Sequence, residues 1–448
     1  MRLHKYPEYR DSGIRWLGLI PSHWRVKKLK HFCSVFPSNV DKHARDGESV
    51  IRLCNYTDVY YNDQITAGMP FMEATATDDQ IAKFSLRAGD TIITKDSESA
   101  DDIAVSAYVP ENLPGVICGY HLSMVRPHGE ISGSFVKRLF DSRYAKSRFA
   151  VSANGLTRVG LGQYALDNVE FPLPPTEEQS DIAAFLDRET AKIDALIAEQ
   201  KRLLELLAEK RQSVISNAVT KGLNPDAPMK DSGVAWLGEV PAHWSVVRLK
   251  YVADVQTGIA KGKDQTGKET ISVPYLRVAN VQDGFLALEE VAMIDIEPQQ
   301  LERYRLQQGD VLMNEGGDFD KLGRGAIWKG EVPDCIHQNH VFAVRPHGVS
   351  SEWLNCITGS SYAQFYFMGR SKQSTNLASI SSTNVMELPV VLPPSDEQFE
   401  VLTFVAEETG RLEALADEAR RAIDLLRERR AALIAAAVTG QIDVREAA

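Results

Sequence analysis

From Leu173 to Thr220 the chain reads LPPTEEQSDIAAFLDRETAKIDALIAEQKRLLELLAEKRQSVISNAVT, and from Leu392 to Thr439 it reads LPPSDEQFEVLTFVAEETGRLEALADEARRAIDLLRERRAALIAAAVT. After the opening LPP neither stretch contains proline, and only Gly410 interrupts the second. Thr176 and Ser395 stand where an N-cap belongs, followed by acidic residues and by Gln three positions on, which is the pattern of a capping box. The spacing predicts two helices, 176 to about 219 and 395 to about 438. At 1.5 Å per residue each makes a rod of about 65 Å, far longer than an average globular helix.

Apolar residues recur every seven positions along both rods. Leu186, Ile193, Leu207 and Val214 form one row of the first, with Gln200 in the gap. Leu196 and Leu203 take the partner position, and Ile197 and Leu204 widen the stripe. In the second rod the row is Val405, Leu412, Leu426 and Leu433, with Ala419 in the gap, completed by Leu415, Ala416 and Ile423. A sustained seven-residue repeat with charges between is the seam of a coiled coil. Packing of each rod onto its own globular domain is the plainer alternative, but a domain of about 170 residues is too small to cover such a rod.

The same duplication runs through the rest of the chain. DSGIRWLGLIPSHWRVKKLK (Asp11–Lys30) returns as DSGVAWLGEVPAHWSVVRLK (Asp231–Lys250), with twelve of twenty positions identical. LRAGDTIITKD at Leu86 is mirrored by LQQGDVLMNEG at Leu306, RPHG at Arg126 by RPHG at Arg345, and AVTKG at Ala218 by AVTGQ at Ala437. The offset stays at 219–220. Solenoid units repeat at about 20–50 residues, so this is instead a duplicated two-part unit. Its first part is mixed: β-rich runs such as SVIRLCNYT, DTIITKD and VICGYHLSMV, then one amphipathic helix (SGSFVKRLFDSRYAKSRFA, or SSEWLNCITGSSYAQFYFMG). The expected class is α+β: two mixed globular domains at 1–175 and 223–394, long helices at 176–222 and 395–440, and a tail at 441–448. Antiparallel pairing of the rods would close this into a pseudo-two-fold molecule. Trp16, Trp24, Trp236 and Trp244 are expected to anchor the local core.

Composition is that of an ordinary globular protein, 44% hydrophobic and 25% charged. No apolar run approaches a membrane span and the N-terminus has no signal-like apolar segment, so a cytoplasmic protein without a membrane partner is expected. The five cysteines are scattered outside any metal-ligand spacing, consistent with reduced thiols and no metal site. Net charge is −11, yet residues 1–175 hold 21 Lys and Arg against 20 Asp and Glu. Most of the negative excess lies elsewhere, so a nucleic-acid face is not excluded.

Catalytic signatures are absent or misleading. GKDQTGKE (262–269) fits GxxxxGK, but Glu269 stands where a Mg²⁺-holding Ser or Thr is required, and a strand-like run comes after it. LPPT and LPPS lack the acidic or amide residue and the aromatic of a methyltransferase loop. Glu199 and Lys201 match a nuclease fragment but fall on the charged face of the rod. Nothing marks the chain as an enzyme by itself.

The two globular domains differ where loops are expected. Residues 94–102 (TKDSESADD) become 314–324 (NEGGDFDKLGR), and 152–163 (SANGLTRVGLGQ) become 371–382 (SKQSTNLASISS). These stretches are rich in the residue types that touch base edges and phosphates. Lys95, Ser97, Asn154, Thr157, Arg158 and Gln163 are the candidates for DNA contact in the first domain. Asn314, Lys321, Arg324, Lys372, Gln373, Thr375 and Asn376 are those in the second. One frame with two sets of loops implies two half-sites on a duplex.

This order of elements, with WLGLIPSHW, GDVLMNEGGDFDKLGRGA, LPPTEEQ and LPPSDEQ, resembles the specificity subunit of type I restriction–modification enzymes over essentially the whole chain. The resemblance implies two target-recognition domains, each reading half of a split, asymmetric duplex site, and an antiparallel coiled coil that fixes the gap. It implies docking of two methyltransferase subunits that N6-methylate adenine from S-adenosylmethionine, and of motor-nuclease subunits that use ATP and Mg²⁺. No cofactor is expected on this chain. The competing readings are a coiled-coil scaffold that binds protein partners or RNA without duplex specificity, and an enzyme with an unrecognised site.

Overall fold

The computed structural model describes residues 4–261, 267–317, 322–373 and 378–445. They divide into two compact units, residues 1–200 with 420–448, and residues 201–419. The rods are single helices, Thr176–Lys221 and Ser395–Val438. Each unit thus holds the beginning of one rod and the end of the other.

The rods do not begin on a capping box. Helical hydrogen bonding starts one residue early: the Pro175 carbonyl accepts from the Gln179 N–H at 3.0 Å, and Pro394 from Gln398 at 2.9 Å. The cap residues Pro175 and Pro394 have no N–H with which to complete a capping box, and the Gln179 and Gln398 side-chain amides donate to the Pro174 and Pro393 carbonyls, both at 2.9 Å.

In the first unit an antiparallel sheet runs Cys33–Pro37, Leu122–Pro127, Thr91–Thr94, Ser106–Tyr108. A second sheet centres Ser49–Cys54 between Val116–Cys118, parallel to it, and Met72–Ala76, antiparallel. In the second unit the four-stranded order is Ala253–Thr257, Val341–Pro346, Val311–Asn314, Gly325–Ile327. Its small sheet centres Ile271–Leu276 between Ala292–Ile296 and Ile336–His337. The single amphipathic helix expected in each unit is two. Gly133–Asp141 and Arg143–Ser152 meet at Ser142, whose hydroxyl caps the second helix by accepting from the Ala145 N–H at 3.2 Å. Ser360 does the same between Ser351–Thr358 and Ser361–Arg370.

One core of the first unit gathers Trp24, Phe32, Phe135, Phe140 and Phe171 with Ile182 and Leu186 of the first rod and Ile434, Ala437 and Val438 of the second. The corresponding core of the second unit gathers Trp244, Trp353 and Phe367 with Ile215 and Val219 of the first rod and Val401 and Val405 of the second.

Burial is uneven along the two rows of the seven-residue repeat. Leu186, Ile193, Val405 and Ile423 are buried, and Leu207, Val214, Leu412, Leu426 and Leu433 are half-buried. Leu196, Leu203 and Leu415 are instead exposed, at 45%, 39% and 49%. Their places in the stripe are taken by Ile197, Leu204 and Ala416, one position later. A step of four from Ile193 turns about +40° and a step of three about −60°, and the buried face leans the first way.

Trp24 and Trp244 are buried as expected, but Trp16 and Trp236 are 69% and 39% exposed. Residues 14–18 make a single tight turn, with Leu17 and Gly18 N–H groups donating to the Ile14 carbonyl. That turn sends Leu17 into the core and leaves Trp16 outside.

Candidate nucleic-acid interface

Each motif shared by the two halves meets another shared motif. Glu178, 5% exposed, accepts from Tyr6 Oη at 2.5 Å, His23 Nε2 at 2.8 Å and Trp24 Nε1 at 3.0 Å. Glu397 accepts from His243 Nε2 at 2.7 Å and Trp244 Nε1 at 2.9 Å. The HW and EEQ or DEQ motifs are therefore the two ends of one joint that locks a rod onto its globular unit. Arg126 grips Asp90 through Nε at 2.7 Å and Nη2 at 2.6 Å, and Arg345 grips Asp310 at 2.7 and 2.8 Å. Both aspartates are 1% exposed. These two-pronged pairs tie the strand that leads into one divergent loop of each unit to its neighbour in the sheet.

In each unit one divergent loop grows from the end of Thr91–Thr94 or Val311–Asn314, the other follows the helix Arg143–Ser152 or Ser361–Arg370, and the two converge. In the first unit Asp96–Ser97 pairs antiparallel with Val159–Gly160. Asn154 and Gly160 exchange backbone hydrogen bonds at 3.1 and 2.9 Å, closing a tip over residues 154–160. Gly155 must be glycine there, since a Cβ would fall 1.9 Å from the Arg158 carbonyl. Leu156, Thr157 and Arg158 are exposed on the tip, and Arg158 Nη2 lies 2.8 Å from Asp96 Oδ1. Lys95 donates to the Ser38 carbonyl at 2.9 Å, with its ammonium 4.4 Å from the Tyr120 ring centroid. Burial pulls the Lys95 ammonium below its ordinary pKa, opposed by the nearby Asp96. Gln163 is exposed and donates to Asp167 at 2.9 Å. Ser97 is 3% exposed, within reach of the Tyr56 phenol, and presents almost no surface.

In the second unit Gly316–Gly317 pairs with Ala378–Ser379, which pairs in turn with Lys372–Gln373. Lys372 and Gln373 are exposed. Asn314 turns inward, its amide donating to the Val281 carbonyl at 2.8 Å. Arg324 is half-buried beside it, with its carbonyl accepting from the Asn314 N–H at 3.2 Å. Lys321, Thr375 and Asn376 lie outside the described residues, as does most of the GxxxxGK stretch. The strand Ile271–Leu276 comes next in the chain, where a phosphate-binding loop would lead into a helix.

Sequence reasoning passed over several groups at these edges. Tyr120 is 51% exposed under Lys95. His121 Nδ1 lies 2.8 Å from Asp96 Oδ2, and His340 Nδ1 lies 2.7 Å from Glu315 Oε2. The recurrence of His immediately before equivalent strands was the available signal. The cysteines offer no activated nucleophile: burial pushes the Cys33, Cys54 and Cys118 thiols well up, Cys335 to about 12 and Cys356 to about 11. Among the described residues no cluster of His, Cys, Asp and Glu has the form of a metal site, and no helix is long and apolar enough to cross a membrane.

Comparison with known proteins agrees with this arrangement. The family described as "Type I restriction modification DNA specificity domain" matches residues 21–206. The chain is 22% identical over 364 residues to the "Type I restriction enzyme EcoKI specificity subunit" of Escherichia coli K12, covering 79% of this chain and 75% of the relative. The HsdS subunit crystal structure from Thermoanaerobacter tengcongensis aligns over 94% of this chain and 98% of its own, at 18% identity and a TM-score of 0.50. Residues 21–206 thus match a type I DNA specificity domain, and most of the chain is similar to type I specificity subunits. A second solved chain, from work on complex assembly and conformational transition of the type I R–M system, shares the fold at a TM-score of 0.61 and 19% identity, with the same coverage of both chains. The chain thus has the α+β fold of these solved structures.

Proposed function

We propose that this chain is a type I specificity subunit that binds a bipartite, asymmetric DNA duplex, one half-site per globular unit, and is not itself catalytic. One observation carries the reading. In each unit the framework bonds are the same, while two loops of different sequence converge by strand pairing on the edge that framework holds. A shared scaffold with separately tuned loops is what recognition of two different words requires. Contact falls to Lys95, Asn154, Thr157, Arg158 and Gln163 in the first unit and to Lys372, Gln373 and Arg324 in the second. Ser97 and Asn314 act from behind, by shaping the loops.

The rods pair antiparallel as a coiled coil and set the gap. The ion pair of Arg430 with Asp194 at 2.9 Å, in a unit whose core joins residues 182–186 to 434–438, supports that direction. Two methyltransferase subunits and the motor-nuclease subunits dock on the assembly and bring S-adenosylmethionine, ATP and Mg²⁺ with them. Titration of the purified chain against duplex DNA, single-stranded RNA and competitor protein tests the reading. Duplex binding that survives excess RNA is expected. RNA displacing DNA at equal concentration would favour a scaffold without duplex specificity.

A further inference from the structure

Both units place a histidine directly before the central strand of the four-stranded sheet: His121 before Leu122–Pro127 and His340 before Val341–Pro346. Both rings are about half exposed, with side-chain accessibilities of 44% and 56%. Both are held through Nδ1 by a carboxylate from the neighbouring divergent loop. The carboxylates are not equivalent. Asp96 is the second residue after the strand Thr91–Thr94, whereas Glu315 is the first after Val311–Asn314. The longer Glu side chain reaches the same ring from one position earlier, so the pair persists although the acid has moved.

Resting on the reading of these edges as DNA-facing, we propose that His121 and His340 are a matched pair of phosphate contacts, one per half-site, each with both ring nitrogens protonated in the complex, Nδ1–H on its carboxylate and Nε2–H donating to a backbone phosphate oxygen. Three observations favour phosphate over a base edge. First, the residue is the same in both units, whereas the loops around it differ throughout. A group shared by readers of two different words carries no information about either word, and sequence-neutral contact is what phosphates receive. Second, the carboxylate occupies Nδ1 and fixes the ring, which turns Nε2 away from the loop. Third, each ring has polar company: Lys95 over Tyr120 beside His121, and Asn339 Nδ2 at 3.3 Å from His340 Nε2. In the free chain the Asn339 amide donates to Nε2; Asn339 is exposed, so it turns aside without loss of a buried bond when Nε2 takes a proton and donates to phosphate instead. Asp96 also pairs with Arg158, so one carboxylate orients both a phosphate donor and a candidate base reader. Asp96 and Glu315 are positioning residues.

The test uses the full chain, a mixed-sequence duplex and a random-sequence duplex pool whose bound fraction is sequenced. His121→Asn keeps a donor for Asp96 but cannot reach the phosphate, and His340→Asn is its counterpart; His121→Phe removes both bonds. Each Asn variant should weaken binding to the mixed duplex by about tenfold and lower the salt slope of log K by about 0.9 per contact. The double variant should lower it roughly twice as much, and the enriched motif should stay as in wild type. Asn variants indistinguishable from wild type, with His121→Phe alone impaired, would reduce the histidines to loop supports and overturn the proposal. A changed motif would make them base readers and overturn it equally. Failure of the wild-type chain to bind any duplex would instead sink the underlying DNA-binding reading.

Discussion

Replacing Glu178 by Ala removes the acceptor shared by Tyr6, His23 and Trp24. Tyr6 and Trp24 are 3% and 1% exposed, so neither polar hydrogen has water to turn to. His23, with 39% of its side chain accessible, does. A buried donor left without a partner costs about 1–3 kcal/mol, so two cost roughly 2–6 kcal/mol. The parallel substitution Glu397→Ala strands only one buried donor, the Trp244 indole, and costs about 1–3 kcal/mol. The wild-type chain and both variants would be unfolded in urea and followed by indole fluorescence, with amide hydrogen exchange locating which unit loosens. Glu178→Ala should lower the stability of the unit containing residues 4–200 and should do so more than Glu397→Ala lowers the other. Glu178→Gln, which keeps one acceptor oxygen, should fall between Glu178→Ala and wild type. If Glu178→Ala costs less than about 1 kcal/mol, or no more than Glu397→Ala, the joint between the HW and EEQ motifs is not what holds the rod to its unit.

Gly440 lies at φ +72°, and a Cβ there would meet Pro21 Cδ at 2.3 Å, so Gly440→Ala should destabilise by more than the ~1–2 kcal/mol of a left-handed residue alone. Gly410 is helical with nothing near its Cβ, so Gly410→Ala should raise stability by about 0.5–1 kcal/mol in the same urea assay. Leu196→Ser, on the exposed side of the first rod, should change stability by less than about 0.5 kcal/mol, while Ile193→Ser should cost several times more. Asp63 touches Lys137 and Arg430; burial alone would raise its pKa, but Lys137 first, then Arg430 and Arg138, hold it below the usual carboxylate range. Its contribution is therefore present above the unfolded value of ~3.9 and is lost as pH falls through the lower folded value, so Asp63→Asn should flatten the acid limb of thermal stability measured from pH 5 to 2. Arg158→Ala should weaken cognate-duplex binding by on the order of 1–3 kcal/mol if it reads a guanine, measured by fluorescence anisotropy.

The rods were legible because periodicity over more than forty residues leaves few alternatives, and both helices end within two residues of the sequence estimate. Which leucines face inward was less legible. Positions three and four from Ile193 are equally apolar in sequence, and only the lean of the packed face separates Leu196 from Ile197. The shared motifs were recognised as shared, but not as partners. Glu178 reads as one more acidic residue in a first helical turn until Trp24, 154 positions away, is found against it. At the interface, loop divergence singled out the two segments in each unit that pairing brings together. Residue type could not reveal that Ser97 faces inward or that Asn314 turns to the Val281 carbonyl, because both depend on which side of a short strand a side chain falls.

Sequencing the modified adenines in DNA from cells that carry this chain with the methyltransferase subunit proposed to dock on it tests the central claim most directly, first with the wild-type loops and then with residues 152–163 exchanged for those of a similar specificity subunit. The account predicts a two-part motif with a fixed unspecified gap, of which only one part changes on exchange. A single uninterrupted motif, or a change in both parts at once, would contradict it.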